Sequence, residues 1–338
     1  MARRGGWRRA GSKDRFRYLD ARGNRIDDDD KVARIEALVI PPAWRDVWIS
    51  PNARARLQAT GVDRAGRRQY LYHPEFRAQQ EQAKFDKLVR FAEKLPELRL
   101  AMGEHMMLAP YDRERVCAVA VRLINLGWFR VGSDRYAKSS RTYGVTTLSK
   151  KHVSVRGNKI AFRFPAKHKV LVRTTLADTE LAAAIKDLLS QPGGRRLFRY
   201  GREGETCTLT GAVLNDYIRT YMGEEFTAKD FRTWGGTLTA AIALAENGIV
   251  ESPIDAKRVV AAVMRTVGER LGNTPAVARS SYVSPAVVEQ YLDGRTLEDF
   301  LPRHLRIVTA RDIGLDLEEQ ALLSLLRSWR IRRARQAA

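Results

Sequence analysis

The amino-acid sequence predicts an α+β protein with a small β-rich N-terminal domain and a larger, mainly α domain that contains a small β-hairpin sheet. Two observations support this fold class. From Ile40 to Tyr72, apolar residues fall in short runs bounded by turn residues, a pattern typical of strands. From about residue 75 they recur at the spacing of helices. We therefore predict one domain at residues 1–77 and a second at residues 78–338.

The N-terminal domain is predicted from short strands and turns. Val47–Ile49 has the composition of a strand, and Asp63–Gly66 that of a tight turn. Gln69–His73 alternates between apolar and polar residues. Because successive side chains of a strand point to opposite faces, Tyr70 and Tyr72 are expected to share one face.

The C-terminal domain is predicted from helices with clear ends. Ala83–Leu95 and Arg115–Leu126 carry apolar residues at helical spacing. The helix Trp234–Glu246 is followed by an Asn-Gly pair, and a long helix begins at Pro253 and ends at Leu271, ahead of a glycine. We expect the glycine pair inside Trp234–Glu246 to allow close backbone approach.

One β insertion interrupts the helices. Val153–Arg156 and Lys159–Phe164 flank a Gly-Asn pair and read as a tight hairpin. A second turn, Ala166–Lys169, precedes another predicted strand, Val170–Thr174. Lys167 is thus expected at the tip of a small sheet, where it can reach into a neighbouring cleft.

The charge of the chain indicates a polyanionic partner. Among 338 residues, 60 Lys and Arg stand against 39 Asp and Glu, a formal net charge of +21. Nucleic acid is the commonest partner of so basic a protein, although a ribosome or a membrane surface would use the same charge. No apolar run is long enough to cross a bilayer, and no signal peptide is recognised. We expect a soluble cytoplasmic protein, associated with the nucleoid if its partner is DNA.

The sequence indicates no metal site and no bound cofactor. Cys117 and Cys207 lie far apart and belong to no Cys/His cluster, so two reduced thiols are expected. The acidic run Asp27–Asp30 is interpreted as a solvated turn or helix start, because adjacent side chains diverge. The chain also lacks the glycine-rich phosphate loop of ATP-using enzymes.

Tyr282 is the residue that suggests a chemical function. It lies just ahead of a predicted helix that begins at Pro285, where exposed amides favour anions. A tyrosine hydroxyl is a poor nucleophile when free, but it can attack a phosphodiester if cations hold the phosphate against it. Taken singly, each residue that could assist it also fits a structural role. The candidates are Arg130, Lys167, Lys229, Arg232 and Asn273.

The order Arg, Lys, Arg, Asn, Tyr closely resembles that of the type IB DNA topoisomerases of the bacterial and poxvirus kind. The N-terminal segments Ile40–Ile49 and Gly66–His73 also resemble that family. The resemblance covers nearly the whole chain and implies relaxation of positive and negative supercoils. It implies transient cleavage of one strand without ATP or metal, and a monomer that closes on double-stranded DNA as a C-shaped clamp.

The resemblance also implies a role for each candidate. Tyr282 would form a 3′-phosphotyrosyl bond, and Arg130 and Arg232 would hold the non-bridging oxygens. Lys167 would protonate the leaving 5′-oxygen as a general acid. Asn273 stands where many relatives have histidine, and its amide would donate a hydrogen bond. The further DNA-contacting residues implied are Lys229, Tyr136, Arg67, Gln69, Tyr70 and Tyr72.

Two other functions fit part of the sequence. A tyrosine recombinase uses the same transesterification and a Lys-x-x-Arg box like that of Lys229 and Arg232. It would normally carry a catalytic histidine where this chain has Asn273, and a helical N-terminal domain. A non-catalytic basic DNA-binding protein would need the charge but not Tyr282.

Overall fold

The computed structural model confirms the α+β class. It describes residues 5–11, 15–202, 204–301 and 314–337, and the chain divides into two compact units, Met1–Lys84 and Phe85–Ala338. The division falls inside one long helix, Pro74–His105. The predicted boundary between residues 77 and 78 lies in the same helix and stays a prediction.

The first unit is a five-stranded antiparallel sheet with one helix. Val47 and Ile49 point from the sheet into a small core that Trp7 and Ile35 complete. The acidic run is a helix start as predicted, since Asp28 caps the helix by accepting from the Lys31 amide at 3.0 Å. In sheet order, the strands are β2 (Arg17–Leu19), β1 (Trp7–Ala10), β3 (Arg45–Ile49), β4 (Leu57–Val62) and β5 (Arg68–Tyr72), and the helix is α1 (Asp29–Ala37).

The second unit is mainly helical. Its helices, counting the one that enters from the first unit, are α2 (Pro74–His105), α3 (Arg113–Gly127), α4 (Asp134–Ser139), α5 (Thr179–Ser190), α6 (Gly211–Met222), α7 (Ala228–Asn247), α8 (Pro253–Leu271), α9 (Pro275–Ser281), α10 (Pro285–Leu292) and α11 (Leu317–Ala337). In the described residues, no helix is both long and apolar enough to span a membrane.

Two small antiparallel sheets complete the second unit. The predicted hairpin and the strand after it form a three-stranded sheet with β7 at its centre. A separate hairpin follows α5. The strands are β6 (Val153–Arg156), β7 (Lys159–Pro165), β8 (Leu171–Ala177), β9 (Arg199–Arg202) and β10 (Glu205–Thr208).

Helix α7 runs through the core of the second unit. Phe231 packs edge-on against Phe91 of α2, with ring centroids 5.0 Å apart, and Trp234 lies 6.0 Å from the same ring. The helix begins at Ala228, earlier than the predicted start at Trp234, because Asp230 accepts the Thr227 amide at 2.8 Å in a capping box. The first turns of α7 therefore include the Lys-x-x-Arg segment.

Tyr282 lies just ahead of a helix N-terminus, as predicted, but it also ends a helix that was not predicted. Residues Pro275–Ser281 form the short helix α9, which the sequence analysis did not identify, and Tyr282 ends it by donating its amide to Ala278 at 2.9 Å. Helix α10 begins at Pro285 as predicted. Two turns of helix are too short for apolar periodicity to reveal.

The C-terminal helix α11 is attached to the core by a buried carboxylate. Glu319 accepts hydrogen bonds from Nη1 and Nη2 of Arg99, at 2.7 and 2.8 Å. Its Oε1 also accepts the indole N–H of Trp234 at 3.0 Å. Glu319 is 3% exposed, so α2, α7 and α11 meet at one desolvated ion pair.

Replacing Glu319 by alanine should lower the free energy of unfolding by about 3 kcal/mol, because it leaves a poorly solvated guanidinium and an indole N–H without their acceptor. Urea unfolding measures the change. The control is Glu97→Ala, which removes the exposed ion pair with Lys94 and should cost less than about 1 kcal/mol. Equal effects of the two substitutions would contradict the assignment of Glu319 as the attachment point.

Candidate active site

The structure brings four of the five predicted catalytic residues together. Arg130 follows the end of α3, and Arg232 lies in α7. Asn273 follows α8, and Tyr282 ends α9. Arg130 contacts Asn273, and the guanidinium carbon of Arg232 lies 5.0 Å from the centre of the Tyr282 ring.

Arg232 is held by the C-terminal ends of two helices. Its Nη1 donates to the carbonyl of Trp128, the residue that ends α3, and its Nη2 donates to the carbonyl of Leu271, the last residue of α8, at 2.7 Å. The side chain is 5% exposed, and its Nε is buried without a hydrogen-bond partner in the described residues. The partial negative charge at a helix C-terminus stabilises a cation there, but it does not neutralise a full charge.

Arg130 is tied to the segment that follows α8. Its Nη2 donates to Asn273 Oδ1 at 2.7 Å and to the Gly272 carbonyl at 3.0 Å. Burial, and next the nearby charge of Arg232, lower the pKa of Arg130 to about 10. The guanidinium therefore remains charged at pH 7. Within the described residues, neither arginine forms an ion pair with a carboxylate.

A pair of close backbone contacts positions the Arg130 segment. The Val145 amide donates to the Arg130 carbonyl at 2.8 Å, and the Thr146 amide donates to the Val131 carbonyl at 2.7 Å. At Gly144 the chains approach so closely that a Cβ would lie 2.4 Å from the Arg130 carbonyl oxygen. A side chain at residue 144 would thus displace the arginine.

Tyr282 is half-buried beside these cations. Burial alone would raise the pKa of its phenol. The positive charge of Arg232, a hydrogen bond with the Arg232 side chain, and the charges of Arg130 and Lys229 outweigh that effect, and the pKa falls below its ordinary value. Lys229 itself is exposed at the start of α7. The charge distribution favours the ionised phenol, which is the nucleophilic form.

The structure does not bring Lys167 to these four residues. It lies in the exposed turn Lys167–Lys169 that joins β7 to β8, and no hydrogen bond or ion pair holds its ammonium in the described residues. Its place at the tip of the sheet is as predicted. At the end of β7, the Pro165 carbonyl accepts the Tyr143 amide at 2.8 Å. Tyr143 is followed by Gly144, which packs against the Arg130 carbonyl.

The glycine pair of α7 permits close approach, as the sequence predicted. A Cβ on Gly235 would lie 2.2 Å from the Trp128 indole, and one on Gly236 would lie 2.8 Å from the Tyr282 carbonyl oxygen. These glycines let the end of α3 and the Tyr282 segment pack directly on α7. The doublet in a helix, where each glycine costs about 1 kcal/mol, was the only sequence signal of this packing.

Two protein-family models match this chain. A family model described as the catalytic core of eukaryotic DNA topoisomerase I matches residues 73–298. A second model, described as the N-terminal domain of bacterial DNA topoisomerase IB, matches residues 15–63.

This chain belongs to the type IB DNA topoisomerase family.

Curated viral relatives align along most of its length. DNA topoisomerase 1B of Acanthamoeba polyphaga mimivirus is 32% identical over 289 residues, which cover 83% of this chain and 85% of the relative. DNA topoisomerase 1B of vaccinia virus (strain Western Reserve) is 23% identical over 282 residues, covering 81% of this chain and 87% of the relative. The protein is therefore an enzyme that acts on DNA, and the family matches favour a topoisomerase over the recombinase and non-catalytic alternatives.

The described residues contain no group of three or more His, Cys, Asp or Glu side chains placed to hold a metal ion. Cys117 is buried and Cys207 half-buried, and both are free thiols.

Asn273 makes two hydrogen bonds within the protein. Its Oδ1 accepts from Arg130, and its Nδ2 donates to the Leu271 carbonyl at 3.3 Å. In this topoisomerase the amide thus orients an arginine, and a hydrogen bond from Asn273 to a phosphate stays a prediction. Tyr136 lies in α4 with its ring 44% exposed, and its role also stays a prediction.

The predicted DNA-contacting residues of the first unit lie on β5 and its turn. Arg67 and Gln69 both bind the Asp63 carboxylate, at 2.7 and 2.8 Å, and hydrogen bonds from the Arg67 backbone and side chain lower the pKa of Asp63 to about 2. Tyr70 and Tyr72 share one face as predicted, stacked with ring centroids 6.2 Å apart. They present an exposed aromatic surface.

The pKa of Tyr282 can be measured by ultraviolet titration, as the difference between the titration curves of the wild type and of Tyr282→Phe. The midpoint of this difference should lie below pH 10, the ordinary value, because the neighbouring cations favour the phenolate. The ionised phenol then stabilises the folded protein above the pKa of an unfolded tyrosine, and this stabilisation is lost as the pH falls through the folded pKa.

Lys229→Met should move that midpoint upward, because it removes one of the three cations. The matched control is Lys94→Met, whose ammonium pairs with Glu97 in α2 and which should leave the midpoint unchanged. A wild-type midpoint at or above pH 10 would contradict the electrostatic account.

Proposed function

We propose that Tyr282 is the nucleophile with which this topoisomerase cleaves one DNA strand. The observation that carries the proposal concerns two arginines, the buried Arg232 against the Tyr282 ring and the half-buried Arg130 nearby, which have no carboxylate partner in the described residues. Two cations that lack full counter-charges make a site for an anion, and the scissile phosphate supplies that anion.

The reaction is a transesterification, in which one ester bond to phosphorus forms as another breaks. The Tyr282 hydroxyl loses its proton to solvent water and its oxygen bonds to phosphorus, while the bond from phosphorus to the 5′-oxygen breaks. The 5′-oxygen takes up a proton and leaves as a hydroxyl. The 3′-phosphotyrosyl bond keeps the energy of the phosphodiester, so the reverse step reseals the strand without ATP after the free end has rotated.

Four side chains around Tyr282 assist the reaction in this proposal. Arg130 and Arg232 bind the non-bridging oxygens and stabilise the charge of the pentacoordinate transition state. Asn273 keeps Arg130 in place and donates a hydrogen bond to the phosphate, and Lys229 adds positive charge near the phenolate. The hydrogen bond from Arg130 to Asn273 and the lowered pKa of Tyr282 support these roles.

We further propose that Lys167 becomes the general acid only when DNA is bound. Its exposed turn contains two residues with left-handed backbone, His168 and Lys169, and its ammonium is unpaired in the described residues. A phosphate at the arginines would attract this ammonium, and the lysine would then protonate the 5′-oxygen.

The remaining contacts are proposed from the family resemblance. Arg67, Gln69, Tyr70 and Tyr72 bind duplex DNA from a domain at residues 1–77, and Tyr136 contacts the strand near the scissile phosphate. The net charge of +21 and the exposed tyrosine face support DNA binding. We propose that the enzyme acts as a monomer on nucleoid DNA in the cytoplasm.

Relaxation of supercoiled plasmid in EDTA without ATP tests the proposal. The wild type should relax the plasmid, and detergent added during the reaction should trap a 3′-linked covalent adduct. Tyr282→Phe should bind DNA but give neither relaxation nor adduct. The control is Tyr291→Phe, which removes a hydroxyl that donates to the Gly248 carbonyl and should keep activity. An adduct formed by Tyr282→Phe would exclude Tyr282 as the nucleophile.

The role of Lys167 is tested with a substrate whose leaving 5′-oxygen is replaced by sulfur. A thiolate needs no proton to leave, so a general acid is dispensable on this substrate. Lys167→Ala should cleave ordinary DNA slower by about 100-fold, and the sulfur substrate at nearly the wild-type rate.

Arg232→Ala is the comparison, because stabilisation of the transition-state charge is needed with either leaving group. It should remain slow on both substrates. If the sulfur substrate restores Arg232→Ala and not Lys167→Ala, the two roles have been assigned to the wrong residues.

A further inference from the structure

Thr237 of α7 forms a hydrogen-bonded bridge to the segment that contains the nucleophile. Its Oγ1 donates to the Tyr282 carbonyl at 3.1 Å and accepts the Ser284 amide at 3.1 Å. The residue is fully buried. One hydroxyl, which has one hydrogen and two acceptor positions, thus fixes the chain on both sides of residue 283.

The main chain of the bridged segment is also held to α9, because the Val283 amide donates to the Ala278 carbonyl at 3.0 Å. Tyr282 lies between α9 and α10 and donates its amide to Ala278 at the end of α9. On the opposite side Gly236 lets the segment lie directly on α7, since a Cβ there would be 2.8 Å from the Tyr282 carbonyl oxygen and 3.0 Å from the Tyr282 Cβ. The Tyr282 backbone is therefore held from one side by α9 and from the other by α7.

The same helix also carries Arg232. Because Arg232 and Thr237 belong to one rigid element, the hydroxyl bridge fixes the nucleophile relative to the guanidinium whose carbon lies 5.0 Å from the tyrosine ring. Attack on phosphorus requires that the phenol and the phosphate-binding group keep their relative position to well within 1 Å.

A different threonine of α7 shows what a purely structural hydroxyl looks like. Thr239 is also buried, but its Oγ1 donates to the Gly235 carbonyl at 2.8 Å, one turn earlier in the same helix. That bond satisfies the hydroxyl without touching the nucleophile. Thr237 instead joins two elements of the site.

We propose that Thr237 is a positioning residue for DNA cleavage, which acts by holding the main chain of Tyr282 against α7 through its hydroxyl. The inference rests on the proposed role of Tyr282 and extends it to a residue that touches neither DNA nor the reacting atoms. It predicts that loss of the hydroxyl slows cleavage without weakening DNA binding.

The test is single-turnover cleavage of a duplex whose severed strand is short enough to dissociate, so that adduct accumulates. Thr237→Val removes the hydroxyl with little change of volume and should slow adduct formation by about tenfold or more. The dissociation constant for the uncleaved duplex should stay within about twofold. Thr237→Ser, which keeps the hydroxyl, should restore the rate to within about threefold of the wild type.

Two further variants separate positioning from stability. Thr239→Val is the matched control, since it removes a buried hydroxyl from the same helix and should leave the cleavage rate within about twofold. Gly236→Ala keeps Thr237 but forces the Tyr282 backbone away, and it should slow cleavage as Thr237→Val does. Circular dichroism and thermal melting establish that each variant is folded.

The outcomes are distinguishable. If the wild type forms no adduct, or if Tyr282→Phe forms one, the proposed function itself fails. If the wild type forms the adduct and folded Thr237→Val cleaves at the wild-type rate, only the positioning role is overturned. If Thr237→Val does not fold, a wild-type cleavage rate in Gly236→Ala overturns the positioning role. If Thr239→Val slows cleavage as much as Thr237→Val does, the positioning role is overturned whatever the other results.

Discussion

The site depends on how two guanidinium groups are kept charged in the interior of the protein. Arg232 binds carbonyls at the ends of α3 and α8, and Arg130 binds the Gly272 carbonyl and the Asn273 amide. A carboxylate partner would have cancelled each charge. Carbonyl oxygens accept from Nη2 of Arg130 and from both terminal nitrogens of Arg232, and they leave most of the positive charge for an anionic ligand.

This arrangement explains the architecture around the site. Two helices must end at the same place, which requires the left-handed backbone of Trp128 after α3 and of Gly272 after α8. Both ends must also approach α7, which the glycine doublet Gly235-Gly236 allows. The features that look irregular in the fold are the ones that bring carbonyl oxygens to the arginines.

The cations also determine the chemistry of the nucleophile. The desolvation that lowers the pKa of Arg130 would by itself raise that of Tyr282, yet the nearby positive charges reverse the direction for the phenol. A phosphate bound at the arginines would offset part of this field, so the state of the tyrosine is coupled to occupancy of the site. Lys167, at an exposed turn, stands apart from this preformed group.

The sequence by itself determined the α+β class, the hairpin, the helix that ends at Leu271 and the resemblance to the family through the order of its motif residues. Periodicity, turn residues and motif order can all be read along the chain without knowing how it packs. It missed α9, which is too short to show a period. Only the tertiary structure decided that Asn273 binds Arg130 and that Thr237 holds Tyr282, because these bonds join residues far apart in sequence. A hydrogen bond between distant segments depends on where packing places them, and no local pattern records it.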